Sequence, residues 1–134
     1  METGGILLGR PTNTGATVDA VVGPGPDATH ARHSFTPDSE WQAAQVALAW
    51  RQDPGLHYLG DWHTHPGGTT RFSALDHDTA KTIAAYTAAR QPEPFMLVAA
   101  LGHNASACLG CAQLHRGRLR HVTLKVLDET HTEP

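Results

Sequence analysis

Gly60-Asp-Trp-His-Thr-His-Pro-Gly-Gly-Thr-Thr-Arg-Phe-Ser-Ala-Leu-Asp76 holds a pair of closely spaced histidines, a glycine-rich turn and a helix-start pattern in succession. Tyr58, Leu59 and Trp62 favour an extended segment from Leu59 to His65, and side chains two apart on a strand share a face. His63 and His65 therefore project together and can reach one metal ion. Pro66-Gly67-Gly68 turns the chain. Ser73-Ala-Leu-Asp76 then reads as a helix start, with Ser73 at the N-cap and Asp76 three positions on. That puts a carboxylate on the first turn of a helix, opposite the two imidazoles. Two His and one Asp are three ligands, which leave the fourth tetrahedral position of zinc open, as in a catalytic rather than a structural site.

Each residue also has a plainer reading. Ser-x-x-Asp before an apolar helix is a common capping signature, and an isolated His-x-His pair is a weak signal. The combination is what favours the metal. Cys108-Leu-Gly-Cys111, with His115 and His121 nearby, suggests a second site, but the partner Cys-x-x-Cys of a zinc ribbon is missing. These cysteines read instead as small buried hydrophobes of a strand.

His63-x-His65, seven residues, Ser73, two residues and Asp76 resemble the signature of the JAMM (MPN-plus) metalloproteases. Glu2-Thr-Gly-Gly-Ile-Leu-Leu-Gly9 looks like that family's first block, which carries its catalytic glutamate. Gly23-Pro-Gly-Pro26, the run Phe35 to Trp41 and Tyr58 to Pro66 are most similar to the prokaryotic JAB branch. The resemblance extends from Glu2 to about Leu127. It implies a zinc-dependent peptidase or isopeptidase acting after the C-terminal tail of a ubiquitin-like protein. The implied roles are His63, His65 and Asp76 as metal ligands, Glu2 as general base and Ser73 as oxyanion donor. Processing of sulfur-carrier proteins and a catalytically silent MPN scaffold are the alternatives. From the residues alone, Asp61 and Asp78 are also candidate bases: Asp61 shares strand parity with the histidines, whereas Asp78 points away from Asp76. Eukaryotic relatives grip ubiquitin with two insertions. The loops Pro66 to Phe72 and Gly102 to Cys111 leave little room for these, which implies broader specificity or a different small modifier.

At 134 residues the chain is expected to form one domain over residues 1–128, with a polar tail at 129–134. A formal charge of −3 argues against a nucleic-acid binder, whose affinity rests on neutralising phosphates. No apolar run reaches membrane-spanning length. No signal peptide precedes Glu2, so the expected location is the cytoplasm. The local cluster His115-Arg-Gly-Arg-Leu-Arg-His121 reads as a solvated hairpin tip, open to an acidic partner.

Taken in order, Met1 to Gly9 and Ala16 to Val22 read as paired strands and residues 27–34 as a polar loop. A helix is expected from Thr36-Pro37, with Thr36 as cap, to about Arg51; its apolar surface comprises Trp41, Ala44, Val46, Leu48 and Ala49. After the histidine strand, a second helix is expected from Ser73 to about Arg90, burying Ala74, Leu75, Ala80, Ile83, Ala84 and Ala88. Phe95 to Leu101 is expected to be a central strand buried on both faces. Gly102 to Ala105 should turn, and Ala107 to Leu114 and Leu119 to Leu127 should pair across Arg116-Gly117. The order β-β-α-β-α-β-β-β predicts an α/β (mixed α+β) fold with helices against a curved mixed sheet. The family resemblance implies a single MPN/JAB domain with cytidine-deaminase-like layering.

Overall fold

The computed structural model describes residues 2–32, 35–67, 69–102 and 107–127. The chain forms β1 (Gly4–Thr12), β2 (Gly15–Val22), β3 (Thr29–His30), β4 (Phe35–Thr36), α1 (Ser39–Gln52) and β5 (His57–Pro66). It continues with α2 (Ala74–Ala85), a 3₁₀ turn at Thr87–Ala89, β6 (Phe95–Leu101), β7 (Ala107–His115) and β8 (Arg118–His121). The six long strands make one sheet in the order β2-β1-β5-β6-β7-β8, and β3 and β4 form a separate two-residue ladder. β5 and β6 are parallel and every other pair in the large sheet is antiparallel. This is the expected mixed α/β fold.

Parallel neighbours need a crossover, and α2 supplies it. The β5–α2–β6 unit places the carboxyl end of β5 beside the amino end of α2, the position where open α/β sheets hold their ligands. Gly60 lets β5 and β6 approach: a Cβ there would lie 1.8 Å from the Phe95 carbonyl oxygen. One residue earlier the register of β1 on β5 slips, pairing Leu7 with Gly60 but Leu8 with Tyr58. The extra residue, Leu59, is buried at 2% exposure.

The core centres on Ala80 of α2, Met96 of β6 and Leu114 of β7, with Phe72, Ile83, Ala84 and Leu119 packed around them. Met96, Val98 and Ala100 point into this layer and are at most 2% exposed. The alternate residues Leu97 and Ala99 are only half-buried, because α2 lies over one face of β6, β7 and β8. The expectation of a strand buried on both faces is corrected to one fully buried face.

Four expected boundaries also shift. α1 is capped by Asp38 rather than Thr36: Asp38 accepts the Trp41 N–H at 3.2 Å, while Thr36 is taken into the ladder opposite Thr29. The expected loop at 27–34 therefore contributes a strand. Of the expected α1 surface, Trp41, Val46 and Ala49 are half-buried, but Ala44 and Leu48 are exposed and Gln42 is the buried residue. α2 stops at Ala85 because its inward stripe runs out after Ala84: Tyr86 and Ala88 are exposed. At its other end, Ala74 and Leu75 face outward, since the cap turns Asp76 and Ala80 inward. β8 ends at His121, just before the place where Thr70 crosses β7 at Gly110. The Val122 N–H still donates to the Cys111 carbonyl at 3.0 Å, but residues 123–127 leave the sheet.

Cys108 is exposed and Cys111 buried, three apart on β7 and hence on opposite faces. Burial pushes the Cys111 thiol up to about 11, as expected of a small hydrophobe, whereas the expectation that Cys108 is buried is corrected: it lies on the exposed face of β7. Arg10 bridges Asp19 of β2 and Asp53, the C-cap of α1. Among the described residues no helix is long and apolar enough to cross a membrane. The expected tail at 129–134 and most of the turn at 102–105 lie outside the described residues.

Candidate metal centre

The alternation of β5 and the capping of α2 together bring His63, His65 and Asp76 to one point. The two Nε2 atoms are 3.0 Å apart. His63 Nε2 lies 3.1 Å from Asp76 Oδ1, and His65 Nε2 lies 3.6 Å from Asp76 Oδ2. His63 and Asp76 are buried and His65 is half-buried.

The donor set fits a cation. Four ligands at about 2.1 Å around tetrahedral zinc lie about 3.4 Å from one another, close to the spacings of the three here. His65 Nδ1 faces the Thr69 carbonyl oxygen at 3.1 Å; a carbonyl only accepts, so Nδ1 carries the proton and the Nε2 lone pair points into the cluster. That second contact fixes ring and tautomer, as ligating histidines require. Two imidazole nitrogens and a carboxylate this close need a proton or a cation among them.

Asp76 is positioned by a complete capping box. Its N–H donates to Ser73 Oγ at 3.1 Å, and the Ser73 N–H donates back to Asp76 Oδ2 at 2.7 Å. The helix cap and the candidate metal site thus share one carboxylate. Burial alone would raise the Asp76 carboxyl; the His63 ring and the Ser73 N–H outweigh it and hold the group below the usual carboxylate range. The loop that delivers Ser73 is fixed by a close approach, for a Cβ on Gly110 would meet Thr70 Cβ at 2.9 Å.

Gly4 pairs with His63, and Thr3 bonds to Thr64 through both backbone and hydroxyl. Glu2 lies two residues before β1 and borders the same groove as His63 and Asp76. The β3–β4 ladder supports it: the Glu2 N–H donates to the Ala31 carbonyl at 3.0 Å, and His30 Nδ1 lies 2.9 Å from the Glu2 carbonyl oxygen. A groove of about 330 Å³ runs from His63 and Asp76 past Glu2 and Asp61 to Phe35 and Pro37.

Asp61 shares this groove. Burial raises its carboxyl, against the Tyr58 hydroxyl that donates to Oδ1 at 2.6 Å. Asp78 is exposed. Trp62 and Thr64 alternate away from the two histidines, donating to the Val22 carbonyl and accepting from the Thr3 N–H. The sequence reading missed the Thr69 carbonyl, the Tyr58–Asp61 pair and the ladder under Glu2. Only the Gly110 close approach leaves a trace in sequence, as a glycine inside a strand.

A mixed sheet whose parallel β5–α2–β6 unit presents two strand histidines to a helix-cap aspartate defines a single-domain fold with a candidate metal centre. The chain belongs to the family of prokaryotic homologs of the JAB domain, whose profile matches residues 1–111. It is 33% identical over 101 residues to y4qB of Sinorhizobium fredii, named a probable metalloprotease, covering 73% of this chain and 62% of that protein. It is 32% identical over 130 residues to the CD-NTase/cGAS isopeptidase of Enterobacter hormaechei, covering 92% of this chain and 71% of that one. A solution structure of a Desulfitobacterium hafniense protein shares the fold with TM-score 0.63 at 19% identity, covering 99% of this chain and 84% of the other. A second, from Salinibacter ruber, does so with TM-score 0.54 at 22% identity, covering all of this chain and 81% of the other.

Proposed function

We propose that this chain is a zinc-dependent hydrolase that cuts a peptide or isopeptide bond after the C-terminal tail of a ubiquitin-like protein. The observation that carries the reading is the convergence of three ligand atoms within 4.8 Å at one end of a groove that Glu2 also borders. The names of the two relatives, a metalloprotease and an isopeptidase, agree with it. His63, His65 and Asp76 would hold the metal. Bound zinc would supply Lewis-acid polarisation of the scissile carbonyl and an acidified water.

Glu2 is the base in this reading: its carboxylate takes the proton of the attacking water and returns it to the leaving amine. Ser73 Oγ already accepts the Asp76 N–H, which leaves its own proton free to donate to the carbonyl oxygen as negative charge develops there. Asp61 is bound to Tyr58 and orients the floor of the groove. The substrate tail lies extended across the site, and the glycine-rich turn after Pro66 favours small residues such as a Gly-Gly terminus at the cut.

The test is incubation of zinc-loaded protein with a ubiquitin-like fusion, followed by mass spectrometry of the products. Cleavage directly after the tail, lost in His63→Ala and abolished by chelator, is the expected result. An intact fusion at full zinc occupancy refutes the reading. Release of a small group from a sulfur-carrier tail, with the fusion uncut, would replace the substrate class.

A further inference from the structure

The charge of this chain is unevenly distributed. Residues 94–127 contain Arg116, Arg118, Arg120 and Lys125 and no aspartate or glutamate, although the whole chain is formally −3. All four cations are exposed. Among the described residues none of them enters an ion pair, whereas Arg10 bridges two carboxylates. Three arginines within five residues repel one another, so the grouping costs the isolated chain stability.

The strip sits on β8, the edge of the large sheet, which pairs on its outer side with no strand among the described residues and so can offer backbone N–H and C=O groups to another chain. Arg118 and Arg120 stand opposite His115 and Gln113 of β7. Beyond the strand, Leu124 and Val126 are 39% and 77% exposed. Cations beside exposed apolar side chains on an unpaired edge suit a protein surface. Four cations on a net-acidic chain are a poor phosphate-binding face. The strip also adjoins the candidate site, because the His121 ring packs on Phe72 at 5.8 Å and Phe72 directly precedes Ser73.

We propose that the β8 edge and the segment after it, residues 118–126, dock the folded body of an acidic protein substrate while its tail reaches the metal centre. This rests on the hydrolase reading above. Docking away from the reacting bond adds affinity and steers encounter without changing the chemistry, so it appears in KM rather than kcat.

The experiment uses two fusions with one tail and one fluorescent reporter. One carries a ubiquitin-like body with an acidic face; in the other those acids are replaced by their amides. Binding is read by anisotropy and turnover by release of the reporter, at low and high salt. The full-length protein should bind the acidic fusion about tenfold or more tightly at low salt, and added salt should erase the difference. Arg118→Glu with Arg120→Glu should remove this preference through KM and leave cleavage of the free tail peptide unchanged. The milder pair Arg118→Gln with Arg120→Gln, checked by thermal melting, gives the same direction if the reversal fails to fold. Equal binding of the two fusions, or indifference to both variants, overturns the docking strip. So does capture of a short single-stranded RNA through the same arginines with no preference for the acidic fusion. Cleavage of the free tail without any body preference refutes docking alone; a body preference without cleavage supports docking and refutes the hydrolase reading.

Discussion

Asp76→Asn separates helix capping from the metal binding proposed for the same carboxylate. Without metal, the substitution keeps the size of the side chain and an oxygen for the Ser73 N–H, now 2.7 Å away, but removes the charge from a group only 7% exposed. Charge-assisted bonds of this kind exceed neutral ones by about 1 kcal/mol. For a chain of this length that is roughly 3–5 °C in Tm, between the values for smaller and larger domains. The sign with pH follows from the lowered carboxyl: its stabilisation is present above the ordinary carboxylate value and is lost as pH falls through the lower folded value. Zinc at a hundred times its Kd adds about 2.7 kcal/mol to the native protein. If losing the third ligand weakens binding about a hundredfold, the same zinc adds only about 0.4 kcal/mol to the variant. Differential scanning fluorimetry with chelator and with excess zinc reads both quantities. Ser73→Ala is the control: it should lose about 1 kcal/mol with the cap and keep the full zinc increment. An Asp76→Asn variant that gains as much from zinc as the wild type would show that the carboxylate is only a helix cap.

Glu2→Gln should keep about one zinc per chain and lower turnover by about 10²–10⁴-fold, and Asp61→Asn should change turnover far less; the reverse order, with termini identical, assigns the base to Asp61. In chelator, Asp61→Asn should gain stability relative to wild type as pH rises above the ordinary carboxylate value, because burial raises the Asp61 carboxyl and its ionisation then opposes folding; a gain that grows toward acid pH contradicts this. Iodoacetamide at mildly alkaline pH should label exposed Cys108 and spare Cys111, whose thiol is pushed up to about 11; equal labelling by mass spectrometry means β7 opens. Gly60→Ala should destabilise by about 2 kcal/mol or more, or prevent folding, since its Cβ would overlap the Phe95 carbonyl; a melt within a degree of wild type would show that the β5–β6 pairing yields easily.

Features that depend on neighbours along the chain can be read from the residues alone. Strand parity brings His63 and His65 to one face within three residues, and the Ser73–Asp76 spacing is a complete capping box, so both halves of the site were legible locally. Phe95 to Leu101 was equally clear, because an apolar run between Pro94 and Gly102 has few other homes. Long-range packing brings the halves together, since the parallel β5–β6 register and the Thr70–Gly110 crossing set that distance. It also decided the boundaries where two local preferences compete. Thr36-Pro37 is a good helix start until Thr29 takes Thr36 into a ladder and Asp38 caps instead. Glu2 shows the limit most directly. Nothing near it in sequence explains its place beside His63 and Asp76, because that place comes from the pairing of β1 with a strand sixty residues away and from the Ala31 carbonyl that holds the Glu2 backbone.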